Sequence, residues 1–118
     1  MCHVLIIEDE PLIAMDLEML LRCEGATSFS FADSEERAVE SAMGHTPTII
    51  TSDVTLLEGT GPGAVGSIIA KLGPIPVLFI TATPEACTLS APPGRILSKP
   101  MNRVAIRRAF REMVATGA

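Results

Sequence analysis

Short apolar, β-branched runs that each stop at charged or hydroxyl residues, with helical patterns between them, constrain this sequence more than any other feature. Four are clear, at residues 4–7, 48–52, 76–80 and 95–98, and a weaker one at 27–31 (TSFSF) alternates enough for an edge strand. Runs interleaved with helical segments predict βαβ units and a parallel sheet covered on both faces. Residues 11–23 place Leu12, Met15 or Asp16, Met19 and Leu20 at helical spacing, with Pro11 suited to the first turn and Gly25 to the stop. Asp33, three residues before Glu36, reads as a variant capping box for a second helix that ends at Gly44. A third helix, weakened by glycine, is expected over 63–72. A last one is expected over 102–115, capped by Asn102, with Val104, Phe110, Met113 and Val114 available to a core. Between Thr81 and Arg95, Pro84, Pro92, Pro93 and Gly94 leave room for only one or two helical turns around residues 85–89, so the fourth helix is expected to be curtailed. Residues 115–118 read as a frayed end.

A chain of 118 residues suits one core, and the expectation is a single domain over 1–118. No apolar run approaches the roughly 20 residues that span a bilayer, so a soluble protein without a membrane partner is expected. The N-terminus has neither a basic leader nor a small-residue cleavage site, and predicts no secretion signal. Cys2, Cys23 and Cys87 are odd in number and lack C-x-x-C spacing, which argues against a disulfide framework or zinc site and for a reducing cytoplasm. Fourteen acidic against nine basic residues give a net charge of −5, opposing nucleic acid as a partner. Arg103, Arg107, Arg108 and Arg111 nonetheless cluster; a solvated helix face is the simplest reading and a docking surface the alternative.

The polar residues fall where the runs end: Glu8-Asp9-Glu10 after the first, Asp53 after the third, Thr81 after the fourth, Ser98-Lys99 after the fifth. Open parallel sheets bind ligands outside those strand ends, where the strand order reverses. In a 2-1-3-4-5 order that crevice is lined by Glu8, Asp9 and Asp53, flanked by Thr81 and Lys99. Three carboxylates there repel one another unless a cation sits among them, and Mg²⁺, held by one or two carboxylates with waters and phosphate oxygens, fits better than Ca²⁺. With Lys99 as a further positive charge and Thr81 as a hydroxyl, Asp53 becomes a candidate nucleophile for an acyl phosphate. Each residue alone also has a structural reading: acidic residues at a helix start, a turn-capping aspartate, a solvated lysine. Their conjunction at one end of one sheet points to chemistry.

The stretches VLIIEDEPLIAMDLEMLL, TIITSDV, PVLFITATPE and ILSKP resemble the receiver domain of two-component response regulators, and the likeness covers essentially the whole chain. EDEPLIAMDLE and FITATPE resemble in particular alphaproteobacterial receivers of the general stress response and their single-domain relatives. The resemblance implies a flavodoxin-like (βα)5 fold, Asp53 as phosphoacceptor, and Mg²⁺ held by Glu8, Asp9 and Asp53 with the Thr55 backbone carbonyl. It also implies Thr81 as a switch hydroxyl and Lys99 as a phosphoryl contact. Ile96 stands where the family often has an aromatic, and the curtailed fourth helix alters a face that receivers often present to partners. The loop holding Gly59, Gly61, Pro62 and Gly63 either lets backbone approach a phosphoryl group or forms a plain turn.

The expected function is a stand-alone receiver, not an enzyme beyond self-catalysed phosphotransfer and autodephosphorylation. It would take phosphate from a sensor histidine kinase or phosphotransfer protein and signal, or act as a phosphate sink, through an unidentified downstream protein. The alternative is a receiver-like interaction module that works without phosphorylation. A phosphatase reading has little support, because Asp53-Val54-Thr55 lacks the second aspartate such an enzyme uses as general acid.

Overall fold

The computed structural model describes residues 2–56, 58–82, 95–100 and 102–115. In chain order the elements are β1 (His3–Ile7), α1 (Pro11–Cys23), β2 (Ser28–Ala32), α2 (Glu35–Gly44), β3 (Ile49–Ser52), α3 (Gly61–Leu72), β4 (Val77–Thr81), β5 (Arg95–Ser98) and α4 (Arg103–Ala115). All strand pairs are parallel, and the order is β2-β1-β3-β4-β5. This is the flavodoxin-like arrangement expected from the sequence. The curtailed helix expected around 85–89 and residues 116–118 of the expected frayed end lie outside the described residues, whereas Ala115 closes α4.

Side chains on the central strands alternate between two apolar layers. Leu5, Ile7, Ile50, Val77 and Phe79 face α2 and α3, meeting Ala38, Ala42, Ala64, Val65 and Ile68. Val4, Ile6, Ile49, Leu78 and Ile80 face α1 and α4, meeting Ala14, Leu17, Leu20, Leu21, Ile106, Ala109, Phe110 and Met113. Strands β1, β3 and β4 are buried throughout, while the edge strands β2 and β5 are only partly covered. His3 breaks the aliphatic run of β1 without leaving a buried polar atom unpaired: its ring nitrogens lie 2.7 and 2.8 Å from the hydroxyls of Ser28 and Ser30.

Helix ends follow local chemistry, with corrections to the sequence reading. Ser34, not Asp33, caps α2, accepting the Arg37 N–H at 3.2 Å. Helix α3 begins two residues earlier than predicted, because the Thr60 hydroxyl accepts the Gly63 N–H at 3.0 Å. Asn102 caps α4 through Ala105 N–H at 3.0 Å. The predicted apolar faces shift as well. On α1 the buried stripe is Ala14, Leu17, Leu20 and Leu21, and Leu12, Met15 and Met19 are exposed. This helix carries more apolar residues than one face can bury, and the small Ala14 permits close approach to the sheet. On α4, Ile106, Ala109, Phe110 and Met113 recur at helical spacing, which turns Val104 and Val114 outward.

The C-terminal arginines are not simply a solvated face. Arg103 donates to Asp16 at 2.9 Å, and Arg107 and Arg111 donate to the two carboxylate oxygens of Glu24 at 2.6 and 2.8 Å. Spaced four apart, the three arginines tie α4 to α1. The hydrogen bonds from Arg111 and then Arg107 hold the Glu24 carboxyl below its usual range.

Among the described residues one buried side-chain polar atom is left unsatisfied. Thr51 on β3 is fully buried, and its hydroxyl has no hydrogen-bond partner among the described residues. An unpaired buried hydroxyl costs about 1–3 kcal/mol relative to a shape-matched apolar group. Chemical denaturation of Thr51→Val is expected to show stability unchanged or raised by up to about 2 kcal/mol; a clear loss would mean that the hydroxyl is satisfied.

Candidate functional site

The ends of β1 and β3 stand level: Ile7 pairs with Ser52, and Asp53 N–H continues the ladder by donating to the Ile7 carbonyl at 3.0 Å. Glu8 is fixed in turn, its N–H donating to Ala32 at 2.9 Å. On the other flank Thr81 pairs with Ser98, and Lys99 N–H donates to the Thr81 carbonyl at 2.8 Å, just before a cis Lys99–Pro100 peptide. Backbone pairing alone thus delivers Glu8, Asp53, Thr81 and Lys99 to one edge of the sheet.

Side chains complete the cleft. Lys99 Nζ donates to Asp53 Oδ2 at 3.3 Å and lies 3.8 Å from Glu8 Oε1. The Glu8 side chain is 3% exposed, that of Asp53 13% and that of Lys99 17%. Burial, then the Asp53 charge, push the Glu8 carboxyl up to about 7 against the opposing pull of Lys99. Burial works to lower the Lys99 ammonium, but Glu8 and Asp53 outweigh it and the net shift is upward. Thr81 is buried at the end of β4.

Carboxylate oxygens of Glu8, Asp9 and Glu10 lie within 4.8 Å of one another. An all-oxygen donor set with one buried, hard-to-ionise member is the chemistry that a hard divalent cation fits. The cluster contains Glu8 and Asp9 of the expected set of Glu8, Asp9, Asp53 and the Thr55 carbonyl, with Glu10 beside them. Asp53 lies across Lys99 from Glu8, and Thr55 stands two residues past Asp53. Glu10 carried a visible signal, because it extends the acidic run.

Asp53 is gripped by its own loop. Its Oδ1 accepts the Val54 N–H at 2.7 Å, its carbonyl accepts the Ser52 hydroxyl at 2.7 Å, and Gly61 N–H donates to the Val54 carbonyl at 2.8 Å. A Cβ on Gly61 would stand 1.7 Å from the Asp53 carbonyl oxygen, so only glycine permits this approach. The close approach made by the glycine-rich loop is to the Asp53 peptide, which is not the approach to a phosphoryl group that the sequence raised. Glu35, at the start of α2, lies against the same loop and had no signal in the sequence.

Comparison with known proteins places this geometry in a family. Residues 4–111 match the model of the response regulator receiver domain. The chain is 44% identical over 85 residues to the phyllosphere-induced regulator PhyR of Methylorubrum extorquens, covering 70% of this chain and 32% of that protein. It is 42% identical over 77 residues to the transcriptional regulatory protein PdtaR of Mycobacterium tuberculosis, covering 64% of this chain and 38% of that one. The chain therefore spans about a third of the length of these curated relatives. The solution structure of the Erythrobacter litoralis PhyR receiver domain superposes with a TM-score of 0.87 at 32% identity, over 97% of this chain and 90% of that one. With the family match covering nearly the whole chain and the fold in agreement, this protein belongs to the response regulator receiver domains of two-component signalling.

Proposed function

We propose that this receiver accepts a phosphoryl group on Asp53 from a histidine kinase or phosphotransfer protein, and signals through protein contacts in the cytoplasm. The observation that carries the reading is the Asp53 carboxylate facing Lys99 Nζ at 3.3 Å beside the Glu8–Asp9–Glu10 cluster. An Asp53 oxygen forms the new bond to phosphorus while the bond to the donor breaks, and its electron pair leaves with the donor's imidazole nitrogen. Lys99 is placed to follow the charge from the Asp53 carboxylate onto the phosphoryl oxygens, and the hydroxyl of Thr81 flanks the same strand ends. Mg²⁺, held by Glu8, Asp9 and Asp53 with the Thr55 carbonyl, would supply positive charge to the transferring group. Val54 N–H holds the attacking carboxylate in one orientation.

Incubation with acetyl phosphate and Mg²⁺ is expected to add one phosphoryl group, seen by intact mass or a Phos-tag gel, and Asp53→Ala is expected to abolish it. Modification that persists in Asp53→Ala, or that is indifferent to chelation, would overturn the reading.

The Glu8 carboxyl gives the metal-free protein a pH signature. Its folded value of about 7 exceeds the ordinary 4.5, so its contribution to stability is fully present below about 4.5 and is lost as pH rises through 7. In EDTA, Glu8→Gln is expected to match wild type near pH 5 and to be more stable near pH 8, by on the order of 1–3 kcal/mol. Parallel pH profiles for the two proteins in thermal melts would refute the shift.

A further inference from the structure

The loop after Asp53 runs between two close neighbours. On one side, the peptide linking Asp53 to Val54 carries both the N–H that orients the Asp53 carboxylate and the carbonyl that Gly61 touches. On the other side stands Glu35. A Cβ on Gly59, whose φ is +82°, would lie 2.6 Å from Glu35 Cβ, and one on Gly63 would lie 2.2 Å from Glu35 Oε1. Glu35 N–H donates to the Glu58 carbonyl at 3.1 Å, Ser34 and Glu58 form a parallel bridge, and Thr60 N lies 3.5 Å from Glu35 Oε1. The glycines alternate in what they meet: Gly59 and Gly63 meet Glu35, and Gly61 meets Asp53. The loop is thus a thin wedge between the reactive carboxylate's own peptide and the first residue of α2.

We infer that Glu35 is a positioning residue for the chemistry at Asp53, holding this wedge against the Asp53 peptide and passing its displacement to the first turn of α2. The inference rests on the reading of Asp53 as phosphoryl acceptor. Rotating the 53–54 peptide moves its N–H and its carbonyl together, so a change in what Oδ1 binds presses on Gly61. Gly61 opens α3 directly after Thr60, and the chain on both sides of it abuts Glu35. Packing this close leaves no slack to absorb the movement.

Glu35 and Glu36 both lie in the first turn of α2, where either carboxylate favours the helix dipole, so Glu36→Ala is the matched control for loss of that contribution. With acetyl phosphate and Mg²⁺, Glu35→Ala is expected to slow phosphorylation of Asp53 roughly 5- to 20-fold, as misplacement of a reacting group does, while Glu36→Ala keeps the wild-type rate. Beryllofluoride is expected to shift the backbone amide resonances of residues 34–37 in wild type and Glu36→Ala but not in Glu35→Ala. Should Glu35→Ala fail to fold, Gly63→Ala decides when set beside Thr60→Ala: its Cβ would intrude on Glu35 Oε1 at 2.2 Å and on the capping Thr60 hydroxyl at 2.9 Å, so it should slow the reaction similarly while Thr60→Ala, which loses only the cap, keeps the control rate. A wild type unmodified on Asp53 removes the acceptor reading and this inference with it. A wild type modified normally, with Glu35→Ala or Gly63→Ala at the control rate, or with the 34–37 shift kept in Glu35→Ala, removes this inference alone.

Discussion

The ammonium of Lys99, 3.3 Å from Asp53 and 3.8 Å from Glu8, stands among carboxylates that a parallel sheet has no means of separating. Every strand of such a sheet delivers its following residue to the same edge, and here β1 and β3 deliver Glu8 and Asp53 side by side. At an effective dielectric near 20, unit charges about 4 Å apart interact by about 4 kcal/mol. One lysine therefore offsets one such repulsion, not the sum over Glu8, Asp9, Glu10 and Asp53. The Glu8 carboxyl is pushed up to about 7, first by its burial and then by the Asp53 charge, against the pull of Lys99. The cleft is arranged so that added positive charge lowers its energy.

The rest of the fold holds that edge level, and it does so differently on its two faces. On one face, α1 and α4 are locked by a large apolar layer and by three arginines reaching Asp16 and Glu24. On the other, the layer under α2 and α3 is built with small residues, Ala38, Ala42 and Ala64, and its upper end is closed by the glycine loop pressed on Glu35. The glycine loop leaves no room for a Cβ at Gly61, against the Asp53 backbone, or at Gly59, against Glu35 Cβ, whereas Gly63 faces the movable carboxylate end of Glu35.

Elements whose signal is local were legible in the sequence. The strands could be counted because apolar runs end in charges, and α4 could be started at its cap because Asn102 caps its own chain three residues on. What could not be read depends on partners far away in the chain. Arg107 meets Glu24 83 residues earlier and Arg103 meets Asp16 87 residues earlier, so their cluster looked like a solvated face. The buried stripe of α1 was misplaced for another reason: Leu12, Met15 and Met19 satisfy helical periodicity as well as Ala14, Leu17 and Leu21 do, and only the sheet chooses between them. In the cleft, the acidic run and the strand-end residues were visible one by one, but the contact of Glu35 with the loop had no counterpart in spacing or composition.

Ile96 shows why the loop route matters. It pairs across from the buried Phe79 and packs, half-buried, on the α2–α3 side of the sheet, while Leu97 packs on the other. A side chain branched at Cβ has few rotamers open to it in a strand, and one wedged beside Phe79 has fewer. It fills the layer where an aromatic ring on a single Cβ–Cγ bond would be free to swing between two positions. With that hinge absent from β5, the polar contacts that follow Asp53 directly are those of its own peptide: Val54 N–H to the carboxylate, the Ser52 hydroxyl to the carbonyl, and Gly61 against that same oxygen. A change of charge on the carboxylate acts on these and on Lys99, 3.3 Å from its Oδ2, and along the loop the next side chain is Glu35.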